Sequence, residues 1–317
     1  MKILFVAGKT VVGIAPFVES QKQSLLLHGC EVDVFLITNK TKNPLGQLLK
    51  LRKKIISKQY DIVHSHHVHY SYWVLLTFTK TKKVLSFLGS DLNGKPNKNG
   101  KTTIKGRFNK LISRLILPFV QGVIVKSERM KHKIPLPFHK KTIVLPNGVD
   151  FDSFFPMDLT ACRKKLNLPH EKKIILFTGN PTDINKNFHL LKTTVNKLNN
   201  PEIQICTPFP SPPELMPFYI NSADVVVLTS FYEGSPNIIK EALACNTKII
   251  STDVGDVKEN ISNTNYSFII QDKNNFEETL IQTLNLPLKT NGRENIKHLD
   301  SKKIGKTLID FYKKVLN

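Results

Sequence analysis

The chain has 317 residues, 40% hydrophobic and 22% charged, and its 46 Lys and Arg against 25 Asp and Glu give a formal net charge of +21. That length exceeds what one core usually supports and points to two domains of roughly 150 residues each, in a folded, enzyme-sized protein. Cys30, Cys162, Cys206 and Cys245 are far apart, with no spacing that suits zinc, and read as buried thiols in a reducing cytoplasm.

The opening MKILFVAGKT holds an apolar run too short for a signal-peptide core and reads as a buried first strand. The stretch LISRLILPFVQGVIV at 111–125 is interrupted by Arg114, Pro118 and Gln121, so no membrane-spanning helix is expected. The charge is uneven: residues 1–155 carry 26 Lys and Arg against 8 Asp and Glu, and residues 156–317 carry 20 against 17. A first half so basic suits anionic partners such as lipid headgroups, phosphorylated lipids or nucleic acid, or is simply a solvated basic surface.

In chain order, KILFVAG (2–8) reads as a strand, followed by an amphipathic run at 14–28 and the strand EVDVFLI (31–37). A basic helix near 45–58, the strand DIVHS (61–65), a further helix and KVLSF (83–87) follow. Next come a long basic helix around 103–119 and the strand GVIVKS (122–127). The segment TIVLPNGVDFDSFFP (142–156) runs from a strand into turns, and the domain boundary is placed there. A second series follows: KIILFTG (173–179), a helix over 186–198, EIQICT (202–207), DVVVLTS (224–230), a helix over 236–245 and TKIIST (247–252). The tail at 301–317 has helical periodicity, with Ile304, Leu308, Phe311 and Val315 on one face. Strands alternating with helices mean parallel sheets, here two doubly wound α/β domains with a ligand cleft where strand C-termini meet.

The most informative stretch is FYEGSPNIIKEALACNTKIISTDVG at 231–255. Gly234 permits a sharp turn, Ser235 is a good N-cap, and Pro236 suits the first helical position, so the helix is expected to start at 235–236. Its first N–H groups, near Asn237 and Ile238, form an anion site. Glu233 and Glu241 are separated by eight residues, at most ~12 Å at ~1.5 Å rise per residue, about the span from a sugar across a diphosphate to a ribose. A carboxylate accepts two hydroxyl hydrogen bonds, so the two acids suit the neutral ends of a nucleotide-sugar. Taken alone, the same pair also suits a dipole-favouring acid and a surface residue.

The run EGSPNIIKEALACNTKIISTDVGDVKE closely resembles the donor-site signature of retaining glycosyltransferases of family 4, which have the two-domain GT-B fold. VLPNGVDFDSFFP resembles that family's interdomain linker, INSADVVVLTS its approach to the signature, and residues 2–35 its first strand, glycine loop and helix. The resemblance implies an acceptor-binding domain at 1–153, a nucleotide-sugar domain at 154–300, and a terminal helix at 301–317 that returns to the first domain. It implies sugar transfer from a nucleotide diphosphate sugar, UDP favoured, to a glycan hydroxyl with retained configuration. The acceptor is expected to be lipid-linked, met at the inner face of the cytoplasmic membrane in assembly of capsule, O-antigen or exopolysaccharide.

By the same resemblance, Glu233 contacts the sugar near the reacting carbon, Glu241 binds the ribose, and Gly13 lets backbone N–H groups approach the diphosphate, unless it is only a helix-start glycine. Lys186 matches a lysine directed at the diphosphate, or is a solvated lysine; Asn180 stands where arginine is usual and Leu88 where many members have histidine. His64 and His66 resemble a pair facing the acceptor side, with packing as the other reading, and Asp91 either contacts acceptor or caps a helix. His64, His66, His67 and His69 lack the acids or cysteines a zinc site would add, and Asp150-Phe151-Asp152 lies in the linker, so neither a metal nor a cofactor is expected. The base, sugar and linkage are not readable. An epimerase on the same fold, a nucleic-acid-binding protein and a non-catalytic relative are the competing readings, though no nucleic-acid-binding motif is present.

Overall fold

The computed structural model describes residues 1–317 apart from 11–12, 39–40, 271 and 273–274. The chain divides into two compact units, one comprising Met1–Gly94, Thr103–Gly148 and Ser301–Asn317, the other Lys95–Thr102 and Val149–Asp300.

In the first unit, β1 (Lys2–Gly8), α1 (Pro16–Leu27), β2 (Glu31–Ile37), α2 (Pro44–Lys58), β3 (Ile62–His66), α3 (Val68–Leu76) and β4 (Lys82–Ser86) alternate. Then come α4 (Ser90–Asn93), α5 (Ile104–Leu115), β5 (Gly122–Val125), α6 (Glu128–Lys131) and β6 (Thr142–Val144). The strands form one parallel sheet in the order β2-β1-β3-β4-β5-β6. Buried Leu4, Val6 and Val63 of the sheet pack with Leu51 and Ile55 of α2 and Val74 of α3. A second cluster joins Leu85, Val123 and Val125 to Ile116, Leu117 and Met130. Strands covered on both faces read as continuous apolar runs, which is why KILFVAG and GVIV were legible.

The second unit holds α7 (Leu159–Lys165), β7 (Lys173–Leu176), α8 (Phe188–Leu198), β8 (Ile203–Cys206), α9 (Met216–Ser222) and β9 (Val225–Leu228). It continues with α10 (Asn237–Ala244), β10 (Ile249–Thr252), α11 (Val257–Ile261), β11 (Phe268–Ile270), α12 (Phe276–Asn285) and α13 (Gly292–Asn295). Its parallel sheet runs β11-β10-β9-β7-β8, over a core of Ile175, Phe177, Val225, Val227, Ile250 and Phe276. The order reverses direction at β7, which has β8 on one side and β9 on the other. In such sheets ligands bind outside the C-terminal ends of the strands at this switch, so the loops after β7 and β9 form the natural site.

The last helix, α14 (Ser301–Leu316), belongs to the first unit and packs on α1. Gly305 makes that approach possible, since a Cβ there would lie 1.9 Å from Ser24 Oγ, and Ser24 Oγ donates to the Ser301 carbonyl at 2.6 Å. Phe311 and Val315 close on Gly122, and the fully buried Tyr312 sets its hydroxyl 2.5 Å from His64 Nδ1.

Candidate functional site

The loop after β7 contains FTGNPTDINK and ends in a short 3-10 turn at Ile184–Lys186. Asp183 shapes it by accepting the Asn185 N–H at 2.9 Å, and Asn187, at φ 49°, turns the chain into α8. The Lys186 aliphatic stem covers Gly179, where a Cβ would meet it at 3.1 Å, so the small residue lets the lysine lie across the loop. Its ammonium reaches Glu233 Oε1 at 2.7 Å. Lys186 and Glu233 thus meet at one point outside β7 and β9. An ammonium has three donors, so Lys186 can hold Glu233 and still donate to a phosphate oxygen.

The loop after β9 is sewn to the loop after β7. Phe231 N donates to the Asn185 carbonyl and Asn185 Nδ2 to the Tyr232 carbonyl, both at 2.9 Å. Segment Lys95–Thr102, which belongs to this unit, packs Gly100 on the Phe231 ring and accepts the Tyr232 hydroxyl at the Gly100 carbonyl, 2.8 Å away. Glu233 follows directly.

The helix start differs from the sequence reading. α10 begins at Asn237 with Pro236 in the cap position and no side-chain cap, so Ser235 is not the N-cap. Its hydroxyl is drawn inward instead, donating to Asp256 Oδ2 at 2.6 Å and accepting from Lys240 Nζ at 2.9 Å. Lys240 is fully buried. Burial lowers its pKa and raises that of Asp256, while the mutual attraction opposes both shifts. Gly255, at φ +60°, closes the arrangement: a Cβ there would lie 2.7 Å from the Gly234 carbonyl oxygen. Gly234, Ser235 and Pro236 are therefore fixed from below by a buried ion pair bridged by a hydroxyl.

Neither Lys240 nor Asp256 was singled out from sequence. The available signal was a charged residue in helical register with buried Leu243 and Ala244, at i+3 and i+4. Lys240→Met leaves the Asp256 carboxylate buried without its counter-charge and is expected to cost about 3–5 kcal/mol, read from urea unfolding. Adding Asp256→Asn should recover a large part of that loss.

Glu241 is the fifth residue of α10, and no hydrogen bond to its carboxylate is recorded among the described residues. Protein closes around it enough that burial pushes its pKa up to about 7, with neighbouring Lys240 pulling the other way. A carboxylate held near its titration point and short of partners is suited to receive hydroxyl donors.

The other predicted residues are placed as follows. Gly13 has φ +91° with nothing among the described residues within 4 Å of its Cβ position, while its N–H donates to the Thr10 carbonyl at 3.1 Å and its carbonyl accepts the Thr10 N–H at 2.8 Å. Asn180 does not substitute for a cation; its Oδ1 accepts from Thr182 N–H and Oγ1 at 3.0 and 2.9 Å and shapes the loop. His64 is buried in the first unit with Nδ1 on Tyr312 and Nε2 on Ser86 Oγ at 2.8 Å, so both nitrogens serve packing and not an acceptor. His66 packs between Phe5, Phe17 and His64, and burial pushes its pKa down to about 3, with Lys126 adding to the shift. Asp91 accepts the N–H groups of Leu88 and Gly89 at 3.0–3.2 Å and so ties down the turn ahead of α4, which itself has no side-chain cap. In the linker, Asp150 accepts Asp152 N–H at 3.0 Å and the Ser153 hydroxyl at 2.5 Å, forming a local turn.

Two family models match the chain, Glycosyltransferase Family 4 over residues 7–153 and Glycosyl transferases group 1 over residues 201–286. Among curated proteins, the teichuronic acid biosynthesis glycosyltransferase TuaC of Bacillus subtilis is 25% identical over 217 residues, 62% of this chain and 54% of the relative. The chain thus matches about half the length of that relative. Among solved structures, sucrose-phosphate synthase from Thermosynechococcus elongatus superposes with a TM-score of 0.78 at 16% identity, covering 99% of both chains. HepE of Anabaena, solved with UDP-glucose, gives 0.74 at 14% identity over 99% of this chain and 100% of that one. At such identities these likenesses establish the fold, two parallel-sheet α/β domains of GT-B type. One glycosyltransferase family model thus falls on each of the two sheets, and the chain as a whole has the GT-B fold.

Proposed function

We propose that the protein transfers a sugar from a UDP-sugar to a hydroxyl of a glycan acceptor with retention of anomeric configuration. The observation that carries this is the meeting of Lys186 and Glu233 at 2.7 Å outside the switch of the second sheet, with Glu241 one turn inside the adjoining helix. Lys186 and the N-terminal end of α10 take the charge that grows on the departing diphosphate, where fixed donors are most effective. Glu233 orients the sugar through its hydroxyls as positive character develops at the anomeric carbon. The bond from that carbon to the phosphate oxygen breaks and the bond to the acceptor oxygen forms on the same face. The acceptor proton passes to the leaving diphosphate, the nearest base on that face. In this reading no divalent ion takes part, Lys186 and backbone N–H groups meeting the diphosphate instead.

UDP is favoured because HepE is solved with UDP-glucose in the same fold. The name of TuaC places that relative in teichuronic acid biosynthesis, which supports a cell-surface polysaccharide as the product class. The basic first half supports an acceptor that is lipid-linked and met at the inner face of an anionic membrane. No helix among the described residues is long and apolar enough to cross a membrane, and the association proposed is a peripheral one.

Thermal unfolding with a panel of nucleoside diphosphates tests the donor. UDP at a hundred times its Kd should stabilise the protein by about 2.7 kcal/mol. A larger shift with GDP would reassign the base, and no shift with any nucleotide would contradict donor binding.

A further inference from the structure

The helices α2, α3 and α5 connect strands that step in one direction along the first sheet, β2 to β3 to β4 to β5, and parallel crossovers are right-handed. They therefore form one layer on one face. Their contacts agree: α2 packs on α3, and the Tyr72 hydroxyl of α3 donates to the Ile112 carbonyl of α5 at 2.5 Å.

The outer side of this layer is unusual. On α5, Ile104, Phe108, Leu111 and Leu115 are 87%, 60%, 57% and 60% exposed. At ~100° per residue they fall within an arc of about 60°, opposite the buried Gly106 and Ser113. On α2, exposed Leu45, Leu49 and Ile56 lie within an arc of about 40°. Scattered exposed leucines need no explanation, but a stripe on each of two helices of one layer does.

Every charge on the three helices is positive. α2 carries Lys50, Arg52, Lys53, Lys54 and Lys58, and α5 carries Lys105, Arg107, Lys110 and Arg114, with no Asp or Glu on α2, α3 or α5. Beside α5 an open groove of about 560 Å³ is lined by Arg114, His132, Lys133 and His139 with Leu136 at 79% exposure. Lys110 and Arg129 lie close enough to add to the burial that lowers the Lys133 pKa, a crowding of cations. Exposed Glu128 is the acid of the short helix preceding this groove.

We propose that the outer face of the α2–α3–α5 layer is the surface by which the protein lies on an anionic phospholipid bilayer, both apolar stripes entering the acyl boundary and the groove beside α5 receiving headgroup phosphates. Apolar residues on one side of a helix with Lys and Arg along its flanks are the physical requirement for lying in a bilayer interface. Two such helices in one layer define a plane rather than a line of contact, so the bilayer fixes the orientation of the first unit. A soluble acidic partner is disfavoured because charge complementarity alone does not account for stripes 87% to 54% exposed. This inference rests on the reading of a membrane-borne acceptor and adds the residues that meet the membrane.

The test is co-sedimentation with vesicles of phosphatidylglycerol or of phosphatidylcholine alone, comparing the parent with Phe108→Ser/Leu111→Ser and Leu45→Ser/Leu49→Ser. The parent should bind the anionic vesicles and not the neutral ones, weakening as salt rises. Each double variant should bind at least about tenfold more weakly while keeping the parent's melting temperature and UDP-induced shift. Variants that bind as the parent does overturn the assignment of this face but leave membrane association standing. A parent that binds no vesicle overturns both. Loss of a dimer without change in vesicle binding makes the stripes a contact between copies of this chain, and also overturns the proposal.

Discussion

Glu233→Ala should lower kcat for sugar transfer by about 10²–10³-fold, the scale on which a single electrostatic stabiliser of a transition state acts, without weakening UDP binding. The separation follows from the ion pair. In the parent, one donor of Lys186 is engaged by Glu233 at 2.7 Å; removing the acid frees the ammonium entirely for phosphate. UDP affinity should therefore hold or rise while turnover falls. Lys186→Ala should do the opposite to binding, weakening UDP as well as lowering kcat, because in the proposed function the lysine serves the diphosphate before and during its departure. Steady-state kinetics with a UDP-sugar, together with UDP titration by calorimetry, reads both parameters. Equal loss of UDP affinity in the two variants would mean that Glu233 does not act on the sugar.

Glu241 supplies the second large effect, in pH. Its folded pKa of about 7 lies above the ordinary value near 4.5, because burial favours the protonated acid. A raised pKa contributes stability that is fully present below the unfolded pKa and is lost as pH rises through the folded one, here between about 4.5 and 7, by at most about 3 kcal/mol. In the proposed function ribose hydroxyls donate to the ionised form, so a bound nucleotide-sugar would recruit the very state that burial opposes. Affinity for a UDP-sugar, whose diphosphate diester does not titrate in this range, should strengthen from pH 6 to pH 8 with release of a proton. Glu241→Gln should flatten that dependence, weaken binding by about tenfold or more, and make the protein without nucleotide more stable than the parent at pH 8. Calorimetry in buffers of different ionisation enthalpy reads the proton directly. Unchanged pH dependence in Glu241→Gln would remove the carboxylate from the ribose.

What could be read in the sequence is what period and local chemistry specify. Central strands such as KILFVAG and DVVVLTS are apolar throughout because helices cover both faces, and the amphipathic tail had to pack somewhere. The edge strand β11 has three residues, Phe268–Ile270, and the short α7, α9 and α11 hold too few turns to establish a period; all escaped notice. At the site, the acids, the lysine and the glycine turn were visible as residue types at a spacing. The role of Ser235 was not, since a hydroxyl beside a proline says N-cap until the Lys240 ammonium and Asp256 carboxylate are seen around it. For His64 the sequence left acceptor contact and packing both open for a similar reason: its partner Tyr312 is 248 residues away, and no local pattern announces that contact. The elevated Glu241 pKa is likewise a property of packing, not of neighbours in sequence.

The central claim is that Glu233 and Glu241 hold the two uncharged ends of one activated sugar, and a crystal structure with a bound UDP-sugar measures it most directly. The account predicts ribose hydroxyls within hydrogen-bond distance of Glu241, sugar hydroxyls on Glu233, and a phosphate oxygen on Lys186. A donor seated elsewhere, or one whose ribose and sugar leave both carboxylates untouched, would contradict it.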